Sequence, residues 1–251
     1  MSNLEEIKKL LDKEIENRDR ACELSYDKPD PLMVAKRYND EYISLICALF
    51  AYGNAKLIVK FLDSLDFSLL EQNEDTIRKE LSSFYYRFQK PKDVVDIFLT
   101  IKRLKEIDSI ENIVYSGYKK EQNLLDGLWN LINTIREITS SDTHGFNFFF
   151  LKPASKISGA GTYKRYFMYF RWMARKNSLD MGLWSKIDKK DLIMPLDTHV
   201  FNVSRRLNLL SRKSCDLKAS LELTNTLKTF DATDPLKYDF AIYRLGQEKL
   251  A

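Results

Sequence analysis

The sequence predicts an all-α protein, and three observations carry that expectation. Apolar residues recur at three- and four-residue steps in one segment after another, and no stretch alternates polar and apolar as a half-buried strand would. Eight glycines and six prolines are few for 251 residues, whereas a sandwich or barrel needs a turn about every ten residues. A hydrophobic fraction of 44%, with 12% aromatic, can fill the core of one large domain or of two subdomains.

Each element follows from the same spacing. Leu4, Ile7, Leu10, Leu11 and Ile15 predict a helix within residues 3–24, and the two prolines of Asp27-Lys-Pro-Asp-Pro31 break it. Tyr42, Ile43, Ile46, Cys47, Leu49 and Phe50 are apolar nearly all round, which predicts a central buried helix ending at Gly53-Asn54. A short helix over 55–65 and a charged, exposed one over 71–83 follow. Amphipathic helices are then expected over 92–106, 109–116 and 120–138. Ser140–Gly145 reads as a loop and Phe146–Phe150 as an apolar plug. Tyr163–Lys176 and the run after Pro195, with Val200, Val203, Leu207 and Leu210, complete the helical segments.

Charge is distributed unevenly. Residues 151–251 hold 19 Lys+Arg against 10 Asp+Glu, and residues 1–150 hold 21 against 26. Within 151–213 there are 14 basic and 4 acidic residues, interleaved with aromatics. Such a field suits a nucleic acid better than a membrane surface, although a solvated basic face is the plainer alternative.

Cys22, Cys47 and Cys215 have no Cys-x-x-Cys spacing, so they predict reduced, mostly buried thiols and neither disulfides nor a metal cluster. His144 and His199 are the only histidines, and no metal site or cofactor is expected. The start of the chain lacks an apolar signal core, and the longest apolar run, Tyr42 to Gly53, is too short to span a bilayer. A cytoplasmic protein with no membrane contact is expected.

Ser155-Lys-Ile-Ser-Gly-Ala-Gly-Thr162 is a small, polar, glycine-containing turn that feeds a helix start, where backbone N–H groups and the helix dipole favour an anion. The helix it opens carries an apolar stripe of Tyr163, Tyr166, Phe167, Phe170 and Met173. Lys164, Met168, Arg171, Trp172 and Arg175 form a second, cationic face. Lys164 lies in the first turn, where the dipole disfavours an added cation, and a lysine amine that gives up its proton can act as a nucleophile. Asp197, between Pro195 and an amphipathic run, is expected to cap that helix; a carboxylate fixed in this way can also serve as the lysine's partner. A plain N-cap already accounts for Asp197, and packing for Trp172.

Leu196-Asp-Thr-His-Val-Phe-Asn-Val-Ser-Arg-Arg-Leu207 resembles the aspartate segment of the helix-hairpin-helix DNA glycosylase superfamily, which includes endonuclease III and the 8-oxoguanine DNA glycosylases. Three further segments match in the same order. Tyr85-Tyr-Arg-Phe-Gln-Lys-Pro-Lys92 resembles the entry to a barrel helix, Ser158-Gly-Ala-Gly-Thr-Tyr-Lys164 the hairpin leading to the catalytic lysine, and Tyr238-Asp-Phe-Ala-Ile-Tyr-Arg-Leu-Gly246 the closing helix. The resemblance covers roughly residues 40–250. The Leu-Pro-Gly usual before the hairpin is absent, the gap from Lys164 to Asp197 is close to that of the archaeal 8-oxoguanine glycosylases, and no cysteine follows Gly246 to hold an iron–sulfur cluster. The chain also resembles a bacterial family of unknown function, through Phe170-Arg-Trp-Met-Ala-Arg175 and Pro195-Leu-Asp-Thr-His199.

The resemblance implies two helical subdomains with a cleft between them: residues 40–163 as a helical barrel ending in the hairpin, and 1–39 with 164–251 as the second. It implies a bifunctional DNA glycosylase and AP lyase, a monomer acting on double-stranded DNA with a damaged base such as 8-oxoguanine. Lys164 and Asp197 would be catalytic, with His199 supporting them. Lys156, Gly159, Gly161, Thr162, Arg165, Arg171 and Arg205 would hold DNA, and Trp172, Phe148, Phe149 or Asn54 would stack on a base or fill the gap it leaves. Two other readings remain open: a non-catalytic DNA-binding helical module on the same scaffold, and a helical scaffold whose basic face meets an acidic protein.

Overall fold

In the computed structural model, which describes residues 3–247, every regular element is helical. The thirteen α-helices of the described residues are α1 (Asn3–Arg18), α2 (Pro31–Tyr38), α3 (Glu41–Leu49), α4 (Ala55–Asp63), α5 (Glu74–Glu80), α6 (Pro91–Ile107), α7 (Ile110–Tyr118), α8 (Leu124–Glu137), α9 (His144–Phe149), α10 (Lys164–Ala174), α11 (Thr198–Arg206), α12 (Leu217–Lys228) and α13 (Asp239–Gln247). The chain forms two compact units: Pro29–Pro153 is one, and Met1–Lys28 with Ala154–Ala251 is the other.

These boundaries differ from those expected at 39 and 163, for local reasons. The Asp27–Pro31 break is also a helix start: Asp30 accepts from the Leu32 N–H at 2.9 Å and Pro31 occupies the first helical position, where its missing N–H costs nothing. The resulting α2 buries Leu32, Val34 and Ala35 and packs on α3 and α4, which ties residues 29–39 to the first unit. The Ser155–Thr162 turn belongs to the second unit, because the Gly159 N–H donates to Asp216 and the Leu217 N–H to the Ala160 carbonyl.

Within Pro29–Pro153, α3 is buried on all sides as its sequence predicts, Leu45 to Phe50 being fully covered. Phe149 lies against Phe50 with ring centroids 4.9 Å apart and is itself fully buried, so it is a core residue and not a base-stacking one. The Phe146–Phe150 plug is helical, capped by the Thr143 hydroxyl accepting from the Phe146 N–H. Asn54 caps the start of α4, accepting from Lys56 and Leu57 N–H groups at 3.0 and 3.3 Å, and its side chain is committed there. Helices α7 and α8 approach closely through Gly117 and Gly127; a Cβ on Gly127 would meet the Val114 carbonyl oxygen at 2.8 Å.

Within the second unit, α10 is the central helix, with Phe167, Tyr169, Phe170, Trp172 and Met173 fully buried. The following chain folds back over its end. Met181 and Gly182 donate to the Trp172 carbonyl and Trp184 to that of Met173, satisfying groups a helix end leaves open. The Trp184 ring packs on Tyr169 and Phe170, α11 packs on α13, and α1 also covers α13. The cationic face expected on α10 is therefore not a surface. Trp172 is interior packing, and Arg171 is 6% exposed, held between Asp180 and Asp239.

Replacing Gly127 by alanine tests the α7–α8 approach. Helix propensity alone favours alanine by about 1 kcal/mol, yet the clash is expected to reverse that and destabilise the protein by roughly 1–3 kcal/mol. Urea unfolding of G127A against wild type measures the difference.

Candidate active site

The site is built from two helix starts in the same unit. Lys164 is the first residue of α10, and Asp197 is the N-cap of α11. Asp197 divides its carboxylate between two tasks: Oδ1 accepts from the Val200 N–H at 2.9 Å, while Oδ2 lies 3.8 Å from Lys164 Nζ. That separation is ion-pair range, longer than a hydrogen bond. About a quarter of each side chain is exposed, 27% for Lys164 and 26% for Asp197, so the pair is partly shielded yet open to a substrate.

Tyr163, directly before the lysine, adopts a left-handed backbone (φ 49°) and is 7% exposed. A bulky residue held in this region is strained, and the strain persists only where its surroundings fix it. Burial pushes the Tyr163 phenol above its ordinary value. The anchored Tyr163 sets the direction in which Lys164 leaves the backbone.

A second carboxylate, Asp239, lies within the field of the lysine. It opens α13, accepts from Arg171 Nη1 and is buried; burial pushes its carboxyl up, against the opposing field of Arg171. The charge of Lys164 also reaches it. Arg171 in turn donates through Nε to Asp180 at 3.1 Å, and Asp180 is shared with Arg175, which holds Asp234 by two bonds at 2.7 and 3.0 Å. From Asp239 runs a buried chain of alternating charges, three carboxylates and two guanidiniums, with Lys189 lying 3.6 Å from Asp234 at its far end.

The glycine turn is latched rather than open. Gly159, at φ +79°, donates its N–H to Asp216 Oδ2 at 2.9 Å. Asp216 also caps α12 through the Ala219 N–H and binds Arg212 Nε at 2.7 Å. Its carboxyl is held well below the ordinary range by the Arg212 guanidinium and by the Gly159 and Ala219 N–H groups. A protein carboxylate therefore occupies the Gly159 donor expected to meet a phosphate. No helix immediately precedes the turn, since residues 150–163 are irregular. A Cβ on Gly161 would meet only open space, and Thr162 is half-buried.

The remaining site candidates divide by exposure. Lys156 and Arg205 are exposed, and Arg165 is half-buried in the first turn of α10. His199 is exposed in the first turn of α11, while the backbone at the same position lies against Gly246 of α13. Phe148 is half-buried against Tyr52 and Phe88 in the other unit. Sequence reasoning missed Asp216 and Asp239. Asp216 had a readable signal, an aspartate directly before an amphipathic run; Asp239 acquires meaning only from Arg171, 68 residues away. Cys22 and Cys215 are exposed and only Cys47 is buried, so the thiols are not mostly interior. Among the described residues no three His, Cys, Asp or Glu side chains are grouped to hold a metal ion, and no helix is long and apolar enough to cross a membrane.

An all-helical protein with a lysine and a carboxylate facing each other from two helix starts is the class these features define. Residues 30–248 match the model of the protein family of unknown function DUF2400, and the chain belongs to that family. No curated protein and no solved structure matches the chain.

Two substitutions test the buried charges of this unit. Arg171→Ala leaves Asp239 buried without its partner and Asp180 with Arg175 alone, and is expected to cost about 3–5 kcal/mol in urea unfolding. Asp216→Asn can still cap α12 but loses its charge, and is expected to cost about 2 kcal/mol at neutral pH. Because the folded-state value of Asp216 is lowered, its contribution is complete above about pH 4 and disappears as pH falls through the lowered folded-state value. The gap between wild type and D216N should therefore narrow on acidification, as read from unfolding midpoints across pH.

Proposed function

We propose that this protein is a DNA base-excision glycosylase with AP lyase activity, with Lys164 as nucleophile and Asp197 as its proton acceptor. The observation that supports this reading is the 3.8 Å approach of Lys164 Nζ to Asp197 Oδ2, made by two residues 33 positions apart at the starts of two helices. A carboxylate fixed through one oxygen by a backbone N–H keeps its other oxygen aimed at the amine, which is the preorganisation such chemistry needs.

The proposed reaction uses that geometry. Lys164 passes a proton to Asp197 and attacks C1′ of a flipped nucleotide. The C1′–N bond breaks, and the base leaves with the electron pair and takes up a proton. The sugar opens to an imine with Lys164, a proton departs from C2′, and the 3′ phosphate leaves by β-elimination, cutting the strand. Hydrolysis of the imine returns the amine. Lys156, Arg165 and Arg205, with Gly161 and Thr162 of the turn, would meet phosphates and position the duplex without reading its sequence. Arg171 has no part in this, being interior.

Borohydride trapping on duplexes carrying 8-oxoguanine, uracil or an abasic site tests the proposal. Wild type is expected to form a covalent adduct that Lys164→Gln abolishes and Asp197→Asn slows by about 100-fold or more. Absence of an adduct on every substrate, with salt-sensitive duplex binding retained, would reduce the protein to a binding module; an adduct surviving in K164Q would remove Lys164 from the chemistry.

A further inference from the structure

The unit Pro29–Pro153 displays a surface that the lysine chemistry does not use. Tyr86 and Gln89 exchange backbone hydrogen bonds of 3.1 and 2.9 Å, so Arg87 and Phe88 form the two-residue tip of a tight hairpin. Arg87 has φ +55°, a conformation that glycine and asparagine adopt far more readily in such turns. The side chains around the tip face outward: Tyr85 is 70% exposed and Phe88 41%. Phe88 continues into a row of rings, with centroids 4.9 Å from Phe148, 5.6 Å from His144 and 5.7 Å from Tyr52. The Arg87 guanidinium lies 5.2 Å over the Tyr52 ring and against Gly53, where any larger residue would displace it.

Packing does not require this display. The core of the unit is closed by Phe50, Phe98, Phe146 and Phe149, all fully buried, and Tyr85 adds little to it. The surroundings are basic. Lys56 at the start of α4 and Lys90 before α6 are exposed beside the segments that meet Arg87, and Lys92 is paired with Asp96. The neighbouring carboxylates are already engaged: Asp93 by the Lys90 N–H and the Thr143 hydroxyl, Asp96 by Lys92 and the Ser141 hydroxyl, and Asp142 by the Asn147 amide. Exposed ring faces flanked by cations are the chemistry that takes a base on its face and a phosphate alongside. A fully stacked duplex offers no free base face, so the occupant this surface fits is an unpaired strand.

We propose that the Tyr85–Gln89 hairpin, with Tyr52, Phe148 and His144 beside it, is a stacking platform for unpaired nucleic-acid bases. The proposal shares its nucleic-acid partner with the function proposed above but does not depend on Lys164. Fluorescence anisotropy of the full-length chain with a labelled oligothymidylate of about 12 nucleotides, across a salt series, tests it. Wild type is expected to bind, and a Y85A/F88A double variant to bind about 10–100-fold more weakly with the salt slope unchanged. R87A is expected to lower the log–log salt slope by about 0.7. F88Y, which keeps the ring, should bind like wild type, and so should K164Q, so that loss of trapping and loss of stacking are read separately. The proposal is overturned if wild type does not bind the strand, if Y85A/F88A binds as tightly as wild type, or if F88Y loses as much affinity as the double variant. Ring-dependent binding of polyglutamate instead would assign the surface to an acidic protein partner and equally overturn it.

Discussion

Burying two arginines inside a helical unit is the constraint on which the site's geometry depends. Arg171 lies on α10 and Arg175 caps its end; each is 6% exposed and can be accommodated only because Asp180, Asp234 and Asp239 meet them. Each carboxylate comes from a different part of the chain: the segment after α10, the segment before α13, and the first residue of α13. Hydrophobic packing around Phe167, Phe170 and Met173 tolerates small slides and rotations, whereas a directional ion pair penalises them. The network therefore fixes the rotation of α10 about its axis. That rotation decides where Lys164, seven residues before Arg171 and on the same helix face, emerges.

Helix starts are used in a consistent way throughout the molecule. Asp30, Asp40, Asn54, Asn73, Asn123, Thr143, Asp197 and Asp216 all cap α-helices with their side chains. Against that background a capping aspartate has no special standing. Asp197 differs because its second oxygen faces a lysine, and Asp216 because its second oxygen reaches back to the Gly159 turn. A common local device has twice acquired a long-range contact, once toward a lysine amine and once toward holding a loop.

Much of the helical fold was legible because apolar spacing is a local property. The burial of α3, the extents of α6 and α8, and the cap at Asp197 all follow from residues within a few turns of each other. The failures have specific causes. Pro31 reads in sequence as a breaker, yet proline at a first helical position starts a helix as readily as it ends one, and here it opens α2. Arginine, lysine and tryptophan on one stripe of α10 suggested a DNA-facing surface, because periodicity reveals that a second face exists but not what covers it. The covering aspartates, nine to 68 residues away, carry no mark of that role in sequence. The Lys164–Asp197 pairing is suggested by the chemistry of a first-turn lysine and a capping carboxylate and strengthened by the family resemblance, but spacing cannot place two helix starts side by side.

The placement of the three tryptophans gives the molecule an optical asymmetry. Trp172 is fully buried and Trp184 nearly so, both packed in the unit that holds Lys164, while Trp129 in the other unit is half-buried. The Trp172 indole N–H has no hydrogen-bond partner, so its excited state finds few dipoles able to reorient around it. Intrinsic emission from the native chain is thus weighted to short wavelengths by one unit, and its red shift follows the opening of that unit's interior. The protein carries two tryptophans on the half of the fold that houses the lysine and one on the half that displays the aromatic hairpin.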